Sequence, residues 1–376
     1  MIQKLYTTIL ITWTWMYCSS TAIIKDPSNC VTYPCLIFQD EFNTFDHSVW
    51  HHINSAAATG NNEFQFYTNN RSNSFVRNGK LFLKPTLTND TYDDDFLTSG
   101  TLDLWGTYTG NYCTSNRGND GCYRKGSAES IINPIQSAAV RTDKSFSFKY
   151  GRMEVRAKCP RGDWIWPAVW LMPKYSAYGD WPASGEIDLL ESRGNDVLTS
   201  QTDEDITPVG NQMVSQSLHW GPYVSQNGQP KTMGRKILKS GSFADDYHTF
   251  TLDWTSESLS LSIDKEETLN VTMTDKGFWE LGGFSERLKD ISNPWSSGSN
   301  LAPFDQEFYI IMNVAVGGTN QYFHENHVPK TPWDNNSPGG QARKDFWNAR
   351  KEWLPSWKGD DTAFRIDYVK VWKLEN

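Results

Sequence analysis

Three acidic residues lie close together in the segment SGEIDLLESRGN, residues 184 to 195. Glu186 and Asp188 are two positions apart, so in a β-strand their side chains would lie on the same face. Glu191 comes five positions after Glu186, and regular alternation would send it to the opposite face. Carboxylates in an apolar strand are costly to bury unless they have partners or a function, so the segment suggests a chemical role.

A β-bulge would remove this parity problem. If Leu189 and Leu190 form a bulge, the face pattern shifts by one residue and all three acids point the same way. Carboxyl groups that close cannot all ionise easily, so at least one pKa should rise. Retaining hydrolysis of a glycosidic bond uses two such carboxyl groups, about 5–5.5 Å apart. The alternative is an acidic strand face exposed to solvent, and spacing alone does not decide between them.

The rest of the chain favours β-strands. GRMEVRAK, residues 151–158, places Met153, Val155 and Ala157 on one face and charged residues on the other, which predicts a half-buried strand. The clearest helix pattern covers 341–353. Many short strands separated by Gly, Asn, Asp, Ser and Pro predict a β-sandwich. The polar segment 89–136 is interpreted as an insertion on this sandwich.

Composition limits the classes of partner. The net charge of −9 argues against nucleic acid and anionic membrane surfaces. The chain has 17 Trp, 16 Tyr and 19 Phe, and such rings suit both a core and the apolar faces of sugar rings. The length of 376 residues does not require more than one domain.

The N-terminus has the features of a signal peptide. Lys4 precedes a mostly apolar run over residues 5–17, and small residues follow up to Ala22. We therefore predict a signal peptide over 1–22, a single domain over 23–376 and a secreted, extracellular protein. A membrane anchor is the alternative, but the run is shorter than the roughly 20 residues needed to cross a bilayer.

Cysteine positions suggest disulfides, which an extracellular setting allows. Cys113 with Cys122 and Cys30 with Cys35 are plausible pairs, which would leave Cys159 as a buried free thiol unless the pairs differ. The Asn-x-Ser/Thr glycosylation sequons are at Asn70, Asn89, Asn270 and Asn335.

The segment WPASGEIDLLESRGN resembles the active-site strand of glycoside hydrolase family 16, in the laminarinase branch that includes the invertebrate β-1,3-glucan-recognition proteins. The resemblance covers about 40–373 in the expected order. The other matching segments are DEFN (40–43), GNNEFQFYT (60–68), YGRMEVRAKCPRGDWIWPAVWLMP (150–173), PFDQEFYIIMNVAVGG (303–318) and DYVKVW (367–372).

This resemblance implies an all-β fold, a jelly-roll sandwich of two curved antiparallel sheets with a concave substrate cleft. It implies that Glu186 is the nucleophile, that Glu191 is the general acid/base and that Asp188 hydrogen-bonds the nucleophile. The five-residue separation of the two glutamates is the bulged form found in laminarinases.

The same resemblance implies a set of sugar-binding residues. Trp166, Trp170 and Trp181 would line glucose subsites, and Glu63 matches a position that hydrogen-bonds sugar hydroxyls. His219 is expected at the cleft, although a structural histidine is the alternative.

Two functions follow from the family, both with β-1,3-glucan polysaccharide as partner. Because the chain keeps both glutamates, which many recognition proteins have replaced, we expect a secreted endo-β-1,3-glucanase that hydrolyses with retention. The alternative is a non-catalytic β-1,3-glucan-binding pattern-recognition protein of innate immunity. Agarases and carrageenases share the bulged strand, but their galactose or sulfated substrates would require a differently lined cleft, and the acidic chain argues against polyanions.

No cofactor is required for either function. Some family members hold a structural calcium ion on the convex side, and Glu41, the carbonyl of Gly79 and Asp367 fall on matching positions. The alternative is a strand-end acid that pairs with backbone or water.

Overall fold

A computed structural model describes residues 22–57, 60–93, 95–106, 112–203, 205–273 and 277–375. The strands within these residues are β1 Ile23–Ile24, β2 Cys35–Asp40, β3 His51–His52, β4 Gln65–Tyr67, β5 Ser74–Val76, β6 Leu81–Leu83, β7 Thr86–Leu87, β8 Thr101–Asp103, β9 Tyr123–Lys125, β10 Ile135–Ser137, β11 Ala139–Arg141, β12 Gly151–Lys158, β13 Ile165–Pro173, β14 Glu186–Ser192, β15 Thr199–Gln201, β16 Ile206–Pro208, β17 Met213–His219, β18 Met233–Ile237, β19 His248–Trp254, β20 Ser258–Ile263, β21 Glu266–Thr272, β22 Phe308–Val316, β23 His327–Val328 and β24 Phe364–Lys373.

Helices are short and lie between strands. They are α1 Phe96–Ser99, α2 Asn119–Cys122, α3 Phe278–Leu281, α4 Phe284–Arg287, α5 Gly339–Asn348 and α6 Arg350–Trp353. The 3₁₀ helices are Pro27–Asn29, Thr88–Asp90, Val224–Gln226, Gln229–Lys231, Leu354–Ser356 and Gly359–Thr362. The helix predicted over 341–353 is thus two helices separated at Ala349. In the described part of the chain, no helix combines the length and apolar character needed to cross a bilayer.

Two antiparallel sheets form a jelly-roll sandwich, which confirms the predicted fold class. The back sheet has the order β1-β2-β24-β12-β19-β20-β21, with β6 also paired to β24 and β5 to β6. The front sheet has the order β18-β17-β14-β13-β22-β11-β3. The acidic strand β14 therefore lies near the middle of the front sheet, between β13 and β17.

The main core fills the space between the two sheets. Met153, Val155 and Ala157 of β12 are fully buried, as their alternation predicts, and they face Val169 and Leu171 of the front sheet in one apolar cluster. Because each sheet buries one face in this core, the other face of the front sheet is available to position polar side chains.

The predicted insertion lies outside both main sheets. It contains the β8–β9 hairpin and packs its own apolar cluster, which includes Leu102 and Leu104, against Phe66 of β4. Beside it, β4 and β10 form a parallel pair in a small separate sheet. The Cys113–Cys122 disulfide closes a loop of the insertion.

The other cysteine prediction is also confirmed. Cys30 and Cys35 form a disulfide, and Cys159 is a buried free thiol. Residues 1–21 of the signal peptide predicted over 1–22 lie outside the described residues. Secretion and the 23–376 domain boundary stay predictions.

The predicted bulge in β14 is present. Asp188 pairs with Ser217 and Glu191 with Ser215, so Leu189 and Leu190 together stand opposite one residue of β17. Both leucines are fully buried in the main core. Two consecutive core-facing residues therefore return Glu191 to the face that carries Asp188.

This burial makes both bulge leucines sensitive to truncation. We expect Leu189→Ala and Leu190→Ala each to lower the free energy of unfolding by about 2–5 kcal/mol in urea denaturation, because each leaves a cavity. Val197→Ala is the control, since this apolar side chain is 75% exposed, and it should cost no more than about 0.5 kcal/mol. A bulge leucine as tolerant of truncation as Val197 would contradict the description of the bulge.

Candidate functional site

The outer face of β14 brings the three acids together. Glu186 pairs with His219 of β17, and Asp188 and Glu191 follow on the same face. We call this surface, formed by Glu186, Asp188, Glu191 and His219, the carboxylate face. The structure thus groups the predicted carboxylates and the predicted histidine in one place.

Glu186 is hydrogen-bonded to an indole. Trp181 Nε1 donates to Glu186 Oε2 at 2.6 Å. Burial raises the pKa of Glu186 above its ordinary value, and the negative charge of Asp188 raises it further, while His219 acts in the opposite direction. The net upward shift favours the neutral carboxyl group.

Glu191 has a second indole as its partner. Trp166 Nε1 donates to Glu191 Oε1 at 3.1 Å. Burial raises the pKa of this carboxyl group, and Asp188 raises it further, while His219, Trp166 and Arg193 partly offset the rise. Each glutamate therefore combines a raised pKa with an indole N–H donor.

Asp188 is the most enclosed of the three acids, with 2% exposure. Ser217 Oγ donates to Asp188 Oδ2 at 2.8 Å, and His219 Nε2 lies 3.1 Å from the same oxygen. Burial lowers the pKa of His219, but Asp188 and Glu186 outweigh this effect and raise it to about 10. A cationic His219 therefore balances part of the negative charge on this face.

The three predicted tryptophan platforms differ in exposure. Trp181 is 37% exposed and Trp170 is half-buried, with Trp170 Nε1 donating to Asn313 Oδ1 at 2.7 Å. Trp166 is only 7% exposed, because Tyr322 stacks on it at 3.9 Å between ring centroids. Trp181 thus offers the most open of the three rings, whereas Trp166 is covered within the protein.

Glu63 lies in a buried position, with 2% exposure. Its Oε2 accepts a hydrogen bond from the backbone N–H of Asn61 at 2.9 Å, which holds the loop before β4. This contact gives Glu63 a structural part in the loop. Its predicted contact with sugar stays a prediction.

The residues suggested for calcium do not fit a divalent cation. Asp367 forms ion pairs with Lys80 and Arg156, and Glu41 forms one with Lys370. These ammonium and guanidinium groups already neutralise the carboxylates.

On the carboxylate face, Glu186, Asp188 and His219 place one ligand atom each within 4.8 Å of one another. The Asp188–His219 ion pair already uses two of these groups. The cluster is therefore self-neutralised in part.

Several supporting residues were missed by sequence reasoning. Tyr322 covers Trp166, and the guanidinium of Arg193 lies 3.9 Å from the centre of the Tyr322 ring. Asn313 links Trp170 to Tyr67, whose hydroxyl oxygen accepts from Asn313 Nδ2 at 2.9 Å. A signal existed for Asn313, which is a polar residue within the apolar run FYIIMNVAVGG. None was available for Tyr322, which follows in a turn-rich segment.

The charge balance of the carboxylate face can be tested through its indoles. In His219→Gln the cation is lost, so ionisation of Glu186 and Glu191 becomes harder and their pKa values should rise further. Because Trp181 and Trp166 donate to these carboxyl groups, tryptophan fluorescence against pH should report the change as a midpoint at higher pH. His327→Gln, a buried histidine elsewhere, is the control and should leave the midpoint in place. An unchanged or lower midpoint in His219→Gln would contradict the ion pairing.

Comparisons with known proteins identify the family of this chain. The model of the family described as "Glycosyl hydrolases family 16" matches residues 109–284. A β-1,3-glucan-binding protein from Penaeus monodon is 49% identical over 94% of this chain and 94% of its own length. Gram-negative bacteria-binding protein 1 from Drosophila melanogaster is 34% identical over 91% of this chain and 65% of its own length.

The expectation of an enzyme is wrong. The relatives that align with almost the whole chain are named for binding and not for hydrolysis. The prediction rested on the retained glutamates and their spacing. That spacing determines where the carboxyl groups lie, but it does not determine their ionisation or that a reaction takes place.

A solved structure extends the likeness to the fold. The laminarinase from Rhodothermus marinus superimposes with a TM-score of 0.54 and 22% identity, covering 91% of this chain and 98% of that chain. At this identity the likeness concerns the jelly-roll fold alone. Together with the family model and the shrimp relative, it leads to one conclusion: the chain belongs to glycosyl hydrolase family 16, in the branch of the invertebrate β-1,3-glucan-binding proteins.

Proposed function

We propose that this chain binds β-1,3-glucan on the front sheet as a pattern-recognition protein of innate immunity, and that it does so without cleaving the polysaccharide. The name of the shrimp relative, which aligns with nearly the whole chain, supports the ligand. The name of the fly relative, a bacteria-binding protein, supports a role in the recognition of microbes. The structural observation that carries the proposal is the pairing of each glutamate with an indole N–H.

The carboxylate face offers the chemistry that a neutral sugar needs. The exposed ring of Trp181 can pack against the apolar face of a glucose unit, while the neighbouring carboxyl groups exchange hydrogen bonds with its hydroxyls. Trp170 adds a second, half-buried indole on the adjacent strand. The ligand would therefore lie across β13, β14 and β17.

The protonation state of Glu186 argues against turnover. A carboxyl group must be ionised to attack an anomeric carbon, but burial and the charge of Asp188 favour the neutral form of Glu186. The hydrogen bond that Glu186 Oε2 accepts from Trp181 favours the ionised form, but it only partly offsets this rise in pKa. A neutral, hydrogen-bonded carboxyl group is well suited to binding hydroxyls.

The platform is tested by removing its most exposed ring. We expect Trp181→Ala to weaken binding of laminarin, a soluble β-1,3-glucan, by about tenfold or more in isothermal titration calorimetry, equivalent to about 1.4 kcal/mol. Trp105→Ala is the matched control, because this tryptophan is similarly exposed but lies on the insertion, and it should keep wild-type affinity. Equal affinities of Trp181→Ala and Trp105→Ala for laminarin would contradict the proposal that glucan binds at the carboxylate face.

The state of Glu186 is tested by an isosteric change. Because the carboxyl group is held largely neutral, we expect Glu186→Gln to bind laminarin within about threefold of wild type at pH 7, a difference below about 0.7 kcal/mol. A loss of tenfold or more would indicate that an ionised carboxylate contributes to binding.

Turnover is measured in the same preparations. We expect no release of reducing sugar from laminarin by wild type above the level of Glu186→Gln. Release by wild type that Glu186→Gln lacks would overturn the proposal that the chain binds without cleavage.

A further inference from the structure

The insertion carries a pocket on the side of β4 that faces away from the carboxylate face. Tyr67 of β4 packs with Ile53 and Ile311, the cluster that lies beneath Trp170. Its neighbour Phe66 points to the other side and lines the pocket together with residues of the insertion. Tyr67 and Phe66 therefore lie on opposite faces of β4, and the pocket is on the Phe66 side.

An aromatic ring forms one wall of this pocket. Tyr92 stacks on Phe96, with ring centroids 4.0 Å apart and planes at 9°, so one face of Tyr92 is covered and the ring is held in place. Tyr92 nevertheless remains 37% exposed. A fixed and partly exposed aromatic ring is a suitable surface for the apolar face of a sugar.

Polar side chains surround the ring. The pocket has a volume of about 210 Å³, below the roughly 300–1,000 Å³ of sites for drug-sized ligands, so it suits a small ligand. Asn69, Asn70, Asp103 and Gln136 line it. Within the described part of the chain, the side-chain amide of Asn69 makes no hydrogen bond, so it is available to a ligand.

We propose that this pocket is a second carbohydrate site, which binds one hexose ring against Tyr92. Amide and carboxylate groups suit the adjacent hydroxyls of a sugar, since they accept and donate hydrogen bonds in a plane. The lining residues include no Lys, Arg or His, and Asp103 repels anions, so the pocket favours a neutral ligand over a phosphate or a sulfated sugar.

Two sources of hexose fit this chemistry. One is a glucose unit of the β-1,3-glucan, and this choice rests on the proposed function. The other is the chain's own N-linked glycan, because Asn70 lines the pocket and begins the sequon Asn70-Arg71-Ser72. A glycan attached there would place its sugars at the mouth of the pocket.

The first experiment counts sites by calorimetry with laminaritriose as the probe. We expect two sites in wild type and one in Trp181→Ala, which retains only the pocket. Adding Tyr92→Ala to Trp181→Ala should abolish the remaining site. Adding Asn69→Ala should weaken it at least fivefold without a change in thermal midpoint. Tyr112→Ala, an exposed aromatic of the insertion that does not line the pocket, is the matched control and should leave it intact.

The second experiment separates the sources with Ser72→Ala, which removes the sequon but keeps Asn70. A second site in both wild type and Ser72→Ala supports external glucan as the ligand. A second site that appears only in Ser72→Ala supports the other source, because the glycan on Asn70 of wild type would then fill the pocket and exclude the probe. If wild type and Ser72→Ala each show a single site, and Trp181→Ala removes it, the proposal of a second site in the pocket is overturned. The proposed function is unaffected by that outcome. No binding by either protein is instead the failure of the proposed function.

Discussion

One extra residue in β14 is the constraint on which the site depends. Leu189 and Leu190 both enter the core opposite a single residue of β17, so Glu191 returns to the face of Glu186 and Asp188. Burial of two leucine side chains stabilises the fold by several kcal/mol, whereas crowding three acids costs stability. The core therefore enforces an arrangement that the polar groups would not adopt by themselves.

The surrounding groups make this crowding tolerable. A cationic His219 lies against Asp188, and the indole N–H groups of Trp181 and Trp166 satisfy the two glutamates. Every acid of the cluster thus has a donor, as buried polar groups require. These contacts only partly offset burial and the charge of Asp188, which raise the pKa of both glutamates. A neutral glutamate suits recognition of hydroxyl groups, whereas attack on an anomeric carbon requires an ionised one, so the two roles make opposed demands on the cluster.

This opposition explains how a strand typical of hydrolases can belong to a chain whose relatives are named for binding. The fold supplies a broad polar face, an exposed Trp181 and paired carboxyl groups, all of which serve recognition as well as catalysis. The insertion adds aromatic and amide side chains on a neighbouring surface. Recognition of a polymer benefits from two modest sites, since binding at one raises the effective concentration at the other.

The sequence alone determined the features that depend on local pattern. Alternation in β12 identified its buried face, and the spacing of Glu186 and Glu191 required the bulge, because strand geometry has a strict period of two. The disulfides could be paired because short loops bring their cysteines together.

Contacts between distant segments were decided only by the tertiary structure. Tyr322 covers Trp166, and Lys80 and Arg156 form ion pairs with Asp367. Exposure and ionisation depend on which remote side chains pack nearby, and no local pattern in the sequence contains that information.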